Sequence, residues 1–233
     1  MQKNEFNEML KDAVNDAELK SSDIPLIDLY VDQIINLHAE KLKEGSVRFC
    51  DRQLTKTMIN NYAKDRVITP VKGKKYTKEQ IIQILTVYTL KGTLSIGEIK
   101  RMLQGAYATE GFDGSSLVAL YDKYTNSKEN TREYAQKVVE DILAENSLDT
   151  ENDDDYFVAV ATISAMSAFM KSIAQAMIDA KYPEPQEESE PDKEKKEKDK
   201  DKEKKDKKEK KDKEKKEKKK KAIEEYTEDG KDE

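Results

Sequence analysis

The feature that most constrains this chain is an unbroken run of Lys, Glu and Asp over residues 193–221, which contains 19 Lys and 10 acidic side chains. The run has no apolar side chain, so it cannot bury a hydrophobic core. Its excess of lysine leaves like charges unpaired, which predicts a disordered or fraying tail over residues 183–233. A single solvent-exposed helix supported by Glu–Lys pairs is the alternative. The 182 residues before the tail are enough for one body with a sizeable core.

Composition excludes several classes of protein. The single cysteine, Cys50, cannot form a disulfide within the chain, and the polar, acidic first residues do not resemble a secretory signal. The longest apolar stretch, residues 156–170, has 15 residues, fewer than the roughly 18–20 that are needed to cross a bilayer. We therefore expect a soluble cytoplasmic protein that does not associate with membranes.

No combination of residues indicates catalysis or a cofactor. One histidine and one cysteine leave little for a soft-metal site, and the chain has no GxSxG, no HExxH and no glycine-rich phosphate loop. The acidic triplet at residues 153–155 could suggest Mg²⁺ or Ca²⁺, but its place before an apolar segment favours a helix N-terminus. We therefore expect no enzyme activity, no cofactor and no metal.

Charge is distributed in three blocks. Residues 1–46 carry 5 basic and 10 acidic side chains, residues 47–101 carry 12 and 4, and residues 102–182 carry 6 and 14. The middle block, with a net charge of +8, is a candidate surface for a polyanion. The alternative is a solvated basic surface that balances its acidic neighbours.

Hydrophobic periodicity predicts a mainly α-helical protein. Residues 3–20 form an N-terminal helical arm with one narrow apolar face. A second helix is predicted to start at Ser22-Asp23 with Pro25 in its first turn, and to end before Gly45, with Ile27 and His38 on its buried face. The only histidine, His38, is therefore expected to pack in the core and not to act in catalysis.

The next segment separates apolar from hydrogen-bonding side chains. Residues 54–66 predict a short helix capped by Thr55, with Met58, Ile59, Tyr62 and Ala63 facing inward. Residues 67–76 predict a small basic hairpin, or wing, with a tight turn at Gly73. The outward face of the helix carries amides, hydroxyls and amines suited to base edges and phosphates, and three lysines surround the turn: Lys56, Thr57, Asn60, Asn61, Lys64, Lys72, Lys74 and Lys75.

Two capping boxes, Thr77 to Gln80 and Ser95 to Glu98, predict the starts of two further helices, the first too apolar for a surface position and the second ending at Gly105. Residues 106–116 are predicted to be a loop, and residues 117–124 and 131–148 two separate helices. Residues 156–177 predict a strongly apolar helix that is either the central core helix or a dimer interface.

Residues 54–103 resemble the MerR-type winged helix-turn-helix. Asn61-Tyr62 stands at the tyrosine pair of that family, Lys74-Lys75-Tyr76-Thr77 at its wing motif, and residues 95–99 at its Ser-Leu-x-Glu-Ile helix start. Asn60 replaces the usual arginine of the recognition helix, and Arg66 replaces the glycine of the following turn. The longer pattern IPLIDLYVDQI … LTKTMINNYAKDRVITP … KKYTKEQI is similar to a bacterial family described as domain of unknown function 1836, which implies a MerR-like architecture and no established activity.

The resemblance implies an N-terminal arm (residues 1–22), a winged helix domain (23–105), a helical dimerisation region (106–182) and the charged tail (183–233). It also implies a transcription regulator that binds double-stranded DNA as a homodimer. A protein-interaction module that keeps the fold without reading DNA is the alternative. No residue indicates the chemical class of a small-molecule effector, which we expect within residues 106–182. Tyr76 is expected to anchor the wing to the core. The candidate DNA-binding residues are Lys56, Thr57, Asn60, Asn61, Lys64, Arg66, Lys72, Lys74, Lys75 and Tyr76.

Overall fold

Helices make up most of residues 2–50 and 53–184, the part of the chain that the structure, a computed structural model, describes. The mainly α class is confirmed, and the predictions for the tail lie outside the described residues. Two short strands are β1 (Leu29–Tyr30) and β2 (Lys75–Tyr76). The helices are α1 (Lys3–Ala13), α2 (Val31–Leu42), α3 (Val47–Cys50), α4 (Lys56–Lys64), α5 (Lys78–Leu90), α6 (Ile96–Tyr107), α7 (Gly114–Glu145) and α8 (Asp153–Lys181).

Helix α5 lies at the centre of the core, as its apolar sequence predicts. Ile81, Ile82 and Ile84 are completely buried, and the helix contacts α4, α6, α7 and β2. Its predicted capping box is confirmed. The Gln80 N–H donates to the Thr77 hydroxyl (3.3 Å), and the Thr77 N–H donates to Gln80 Oε1 (3.0 Å). The equivalent box at Ser95 opens α6. The helices around the candidate site therefore start where the local sequence dictates.

Helix α2 begins later than predicted. Residues 21–23 form a 3-10 turn in which the Lys20 N–H donates to the Asp23 carboxylate (2.9 Å). The first turn of α2 starts after Tyr30, whose N–H donates to Gln33 Oε1 (2.8 Å). Ile27, predicted to be buried, is 70% exposed. The helical start predicted at residues 22–25 is therefore wrong, because the chain forms the 3-10 turn and then β1 before the cap at Tyr30 opens α2.

The basic hairpin predicted over residues 67–76 does not form. Strand β2 pairs with β1 in antiparallel register, with Leu29 opposite Tyr76 and Tyr30 opposite Lys75. The predicted tight turn is present, since Gly73 adopts a φ of 85° that favours glycine. The wing lysines therefore lie at or beside the turn at Gly73. The two-stranded sheet next to this turn takes its other strand, β1, from the residues directly before α2.

Side chains of α5 explain why residues 67–71 do not pair as a strand. The Thr69 N–H donates to Gln83 Oε1 (2.8 Å), and Gln80 Nε2 donates to the Pro70 carbonyl (3.0 Å). Gln83 is itself only 1% exposed. Buried backbone groups need partners, and here two glutamines of α5 replace the partner strand.

Residues 117–124 and 131–148 were predicted to form two helices, but one continuous helix, α7, covers Gly114–Glu145. It starts at Asp113, whose carboxylate accepts from the Ser116 N–H (2.9 Å). No glycine or proline occurs in residues 115–145. The polar segment between the two predicted helices therefore stays helical, because polarity alone does not break a helix.

Helix α6 does not end at Gly105. It continues to Tyr107, so the predicted loop over residues 106–116 is shorter. A Cβ on Gly105 would lie 2.1 Å from Cδ1 of Tyr182. The glycine thus allows the aromatic ring that follows α8 to pack directly against α6.

Helix α8 is not the central core helix. It packs on one side through Ala159 and Ile178, whereas Phe157, Phe169 and Met177 are between 63% and 74% exposed. The length argument against a membrane span is also wrong: α8 continues to Lys181, and by length and composition alone it could cross a membrane. Its apolar outer face is without a partner among the described residues.

Candidate nucleic-acid interface

Helix α4 has two chemically distinct faces. The Met58 N–H donates to the Thr55 hydroxyl (3.2 Å), which confirms the predicted cap. Ile59 and Tyr62 are buried against the core. The outer face is exposed, as predicted, and consists of Lys56, Thr57, Asn60, Asn61 and Lys64.

The turn after α4 places Arg66 in a conformation that normally favours glycine. Its φ is 54°, and the Val67 N–H donates to the Tyr62 carbonyl (2.9 Å) while the Arg66 N–H donates to the Ala63 carbonyl (3.2 Å). This is the Schellman pattern, in which the residue after the C-cap is left-handed. Lys100 Nζ adds a bond to the Asp65 carbonyl (2.8 Å). The turn is therefore fixed at its backbone, and the Arg66 side chain projects into solvent.

An open groove of about 1130 Å³ lies between the outer side of α4 and residues 66–76, with the C-terminal part of α6 as a further wall. Five of the predicted residues line it: Lys56, Asn60, Arg66, Lys74 and Tyr76. Three of the five are cationic. Among the described residues that line the groove, Asp32 is the only acid. The groove is therefore lined largely by apolar and aromatic side chains, with three cations and the Asn60 amide among them.

The other five predicted residues do not line the groove. Thr57, Asn61, Lys64, Lys72 and Lys75 are all exposed on the neighbouring surface. Lys75 Nζ lies 5.0 Å from the centre of the Tyr30 ring, a cation–π contact that holds its charge close to the sheet. These side chains surround the groove and widen the basic surface around it.

Tyr76 is 8% exposed. Tyr76 pairs with Leu29 across the sheet, and burial raises the pKa of the Tyr76 hydroxyl. The expected anchoring role fits this position, and its contribution to the groove is a wall, not an exposed contact.

Sequence reasoning missed several wall residues. Tyr30 was assigned to the middle of a helix, and Gln104 and Tyr107 to a helix end and a loop, but all three line the groove. Tyr107 accepts a hydrogen bond from Gln83 Nε2. No local signal locates them, because Tyr30 lies on a strand that pairs with the distant β2 and α6 packs on α5 beside the groove.

The acidic N-terminal arm does not pair with α4. Asp16 and Glu18 form ion pairs with Lys128 of α7, and Asp16 also pairs with Arg132 (2.8 Å). Lys20 pairs with Glu129 (2.8 Å). Asp16 and Glu18 of the arm are thus paired with α7, and among the acids of residues 1–46 it is Asp32 that reaches the groove.

Metal ligands are not gathered anywhere in residues 2–50 and 53–184: these contain no group of three or more His, Cys, Asp and Glu side chains that could hold an ion. The acidic triplet Asp153, Asp154 and Asp155 lies in the first turn of α8, as predicted. Asn152 Oδ1 accepts from the N–H groups of Asp154 (2.9 Å) and Asp155 (3.1 Å). The triplet therefore stabilises a helix N-terminus.

Comparison with known proteins gives one family. Neither the curated proteins nor the solved structures contain a match to the chain. Residues 19–124 match the family model described as Domain of unknown function (DUF1836), a segment that contains all ten candidate residues and a little less than half of the 233-residue chain. This match supports the DUF1836 family for residues 19–124.

Proposed function

We propose that this protein is a cytoplasmic DNA-binding transcription regulator of MerR-like architecture. The observation that carries the proposal is the groove that joins Lys56 and Asn60 of α4 to Arg66 and Lys74 of the following turn. An exposed polar helix with cations beside it is what recognition of a duplex requires, since the major groove of about 12 Å admits one α-helix.

The residues of the groove divide into two roles. Asn60 projects from the middle of α4, and an asparagine amide can donate to and accept from one adenine at the same time, so it is assigned to base readout. Lys74 and Arg66 flank the helix on the turn and are assigned to backbone phosphates. The neighbouring Lys72 and Lys75 extend the phosphate contacts. Lys56, in the first turn of α4, can reach either target.

A homodimer is part of the proposal. The outer face of α8 carries Phe169, Ile173 and Met177, spaced four residues apart and each at least 54% exposed. Burying such a face against a second copy removes a large apolar surface from water. In an antiparallel arrangement, the acidic first turn of each α8 also approaches Lys181 of the other copy. Two copies would then present two α4 helices to a two-fold DNA site.

A protein-interaction module is the second candidate function, and the same α8 face favours it. If that face binds a different protein, the basic groove is a solvated surface and the fold is kept without DNA recognition. The two candidates differ in what α4 does, so a DNA experiment separates them.

Selection of bound fragments from genomic DNA by the full chain, followed by a salt titration on the best fragment, tests the proposal. We expect an enriched sequence and a linear fall of log affinity with log salt. Lys74→Ala should reduce the slope by about one unit and weaken all duplexes alike, since each phosphate contact releases roughly one counterion. Lys123→Ala on the exposed surface of α7 is the matched control and should leave the slope unchanged. No enrichment of any sequence would favour the interaction module.

A further inference from the structure

A second cavity lies on the inner side of α4, away from the groove. It has a volume of about 360 Å³ and is enclosed by α2, α5, α7 and residues 16–19. Apolar side chains, among them Leu42, Met58 and Leu85, form much of its wall. Met58 belongs to the buried side of α4, so the cavity touches the helix that carries the groove.

One wall of the cavity is a buried histidine with an unused hydrogen-bonding atom. His38 is 5% exposed, and its ring packs edge-on against Tyr88 at 4.5 Å between centres. Its Nδ1 has no hydrogen-bond partner. Burial lowers the pKa of His38 to about 4, so the ring is neutral near pH 7 and can exchange one hydrogen bond at Nδ1. A buried polar atom of this kind is uncommon without a partner.

A second wall carries an ammonium group that has no anionic partner among the described residues. Lys91 Nζ lies 5.4 Å from the centre of the Tyr88 ring and 5.9 Å from that of Tyr62, and 3.3 Å from Met58 Sδ. Burial lowers its pKa. No carboxylate of the described residues forms an ion pair with it, whereas the two acids of the cavity, Asp16 and Glu18, are already paired with Lys128.

These features are complementary to one class of ligand. The unpaired charge of the cavity is positive, its unused hydrogen-bonding atom is on a neutral ring, and its walls are aromatic and aliphatic. An inorganic anion would satisfy the charge and leave the apolar walls empty, while a neutral apolar molecule would leave Lys91 unpaired. A small organic acid satisfies both.

We propose that this cavity binds a small organic carboxylate, with its anionic group paired to Lys91, its apolar part packed beside Leu42 and Leu85, and the His38 ring as one wall. The site goes beyond the proposed DNA-binding function, and it is built mainly from residues 16–92, with Tyr121 and Lys128 contributed by the 106–182 region where an effector is expected. Since Met58 forms part of its wall, an occupied cavity contacts α4 from the side opposite the DNA groove.

The test uses the full chain and benzoate as the probe, with benzamide as a neutral control of the same shape. His38 is the only histidine, so ¹³C-labelled histidine gives an NMR signal from this cavity alone. We expect benzoate to shift that signal saturably with a Kd of about 1 mM or tighter, and benzamide to bind at least about tenfold more weakly. No saturable shift up to roughly 20 mM benzoate, or equal binding of the two probes, would overturn the proposal.

Variants assign the binding to Lys91. Lys91→Met keeps the length of the side chain and removes its charge, and it should weaken benzoate about tenfold, to the level of benzamide. Lys91→Arg should retain the preference for benzoate, and Lys123→Met should behave as the native chain. Native affinity in a folded Lys91→Met protein would contradict the assignment. If Lys91→Met does not fold, Lys91→Gln replaces it as the test of the assignment to Lys91. The comparison of benzoate with benzamide on the native chain tests the proposed site in either case. No DNA enters these measurements, so their outcome is independent of the proposed function.

Discussion

Among single residues, Arg66 has an unfavourable backbone conformation and also places a positive charge on the lining of the groove. Its left-handed φ of 54° is unfavourable for a side chain with a Cβ by roughly 1 kcal/mol. We expect Arg66→Gly to raise the free energy of unfolding by up to about 1 kcal/mol and at the same time to weaken DNA binding. Denaturant unfolding measures the first effect. Ser147→Gly, at the same φ of 54°, is the control that changes stability only; a loss of stability in Arg66→Gly would contradict the strain.

His38 should make the stability depend on pH. Its pKa is about 4 in the folded protein and about 6.5 in an unfolded chain, so the unfolded state binds the proton first as the pH falls. The contribution of His38 to the free energy of unfolding is therefore fully present above about pH 6.5. It is lost as the pH falls to about 4, by about 3 kcal/mol in total. His38→Phe, which keeps the ring contact with Tyr88, should remove this part of the pH dependence. Urea unfolding across the window decides, and an equally steep loss in the variant would show that other groups cause it.

Among the elements, residues 67–71 lead into the turn that carries the wing lysines, and the buried Gln83 helps to hold them in place. Gln83 accepts from the Thr69 N–H (2.8 Å) and donates to the Tyr107 hydroxyl. Gln83→Leu leaves a backbone donor without this acceptor, so we expect a loss of roughly 1–3 kcal/mol and faster amide hydrogen exchange at Thr69. Gln104→Leu, on the exposed surface of α6, should change neither. Unaltered exchange at Thr69 in Gln83→Leu would show that the bond does not hold this segment.

The helices and strands around the groove show which parts of the site can be predicted from the sequence. The capping boxes at Thr77 and Ser95 and the polar face of α4 involve residues within one or two turns, so periodicity and capping rules locate them. The pairing of β2 with β1 and the bonds from Gln83 link residues that are distant along the chain, and no local pattern encodes them. Five of the ten residues predicted from the sequence therefore line the groove, whereas its far wall on α6 has no local signal.

For the whole molecule, the proposed homodimer rests on the exposed apolar side chains of α8. The strong apolarity of residues 156–177 predicts burial, but apolarity alone cannot distinguish burial within the chain from burial by a second copy. We expect the full chain to sediment as a dimer at a concentration of about tens of micromolar, and Phe169→Glu to be monomeric because it places a charge in the interface. Asn126→Glu on α7 introduces the same charge elsewhere and should leave the dimer intact. A monomeric native chain at this concentration, or a dimer of Phe169→Glu, would contradict this role of α8.

If α4 reads DNA through Asn60, as we propose, the effect of replacing Asn60 must depend on the sequence of the duplex. The full chain and its Asn60→Ala variant are titrated with the selected duplex and with a scrambled duplex of the same composition, at one salt concentration. We expect the variant to lose roughly 1–3 kcal/mol on the selected duplex and little on the scrambled one, since an amide that pairs with one base discriminates between sequences. Equal losses on the two duplexes, or no binding of either duplex by the native chain, would contradict the claim.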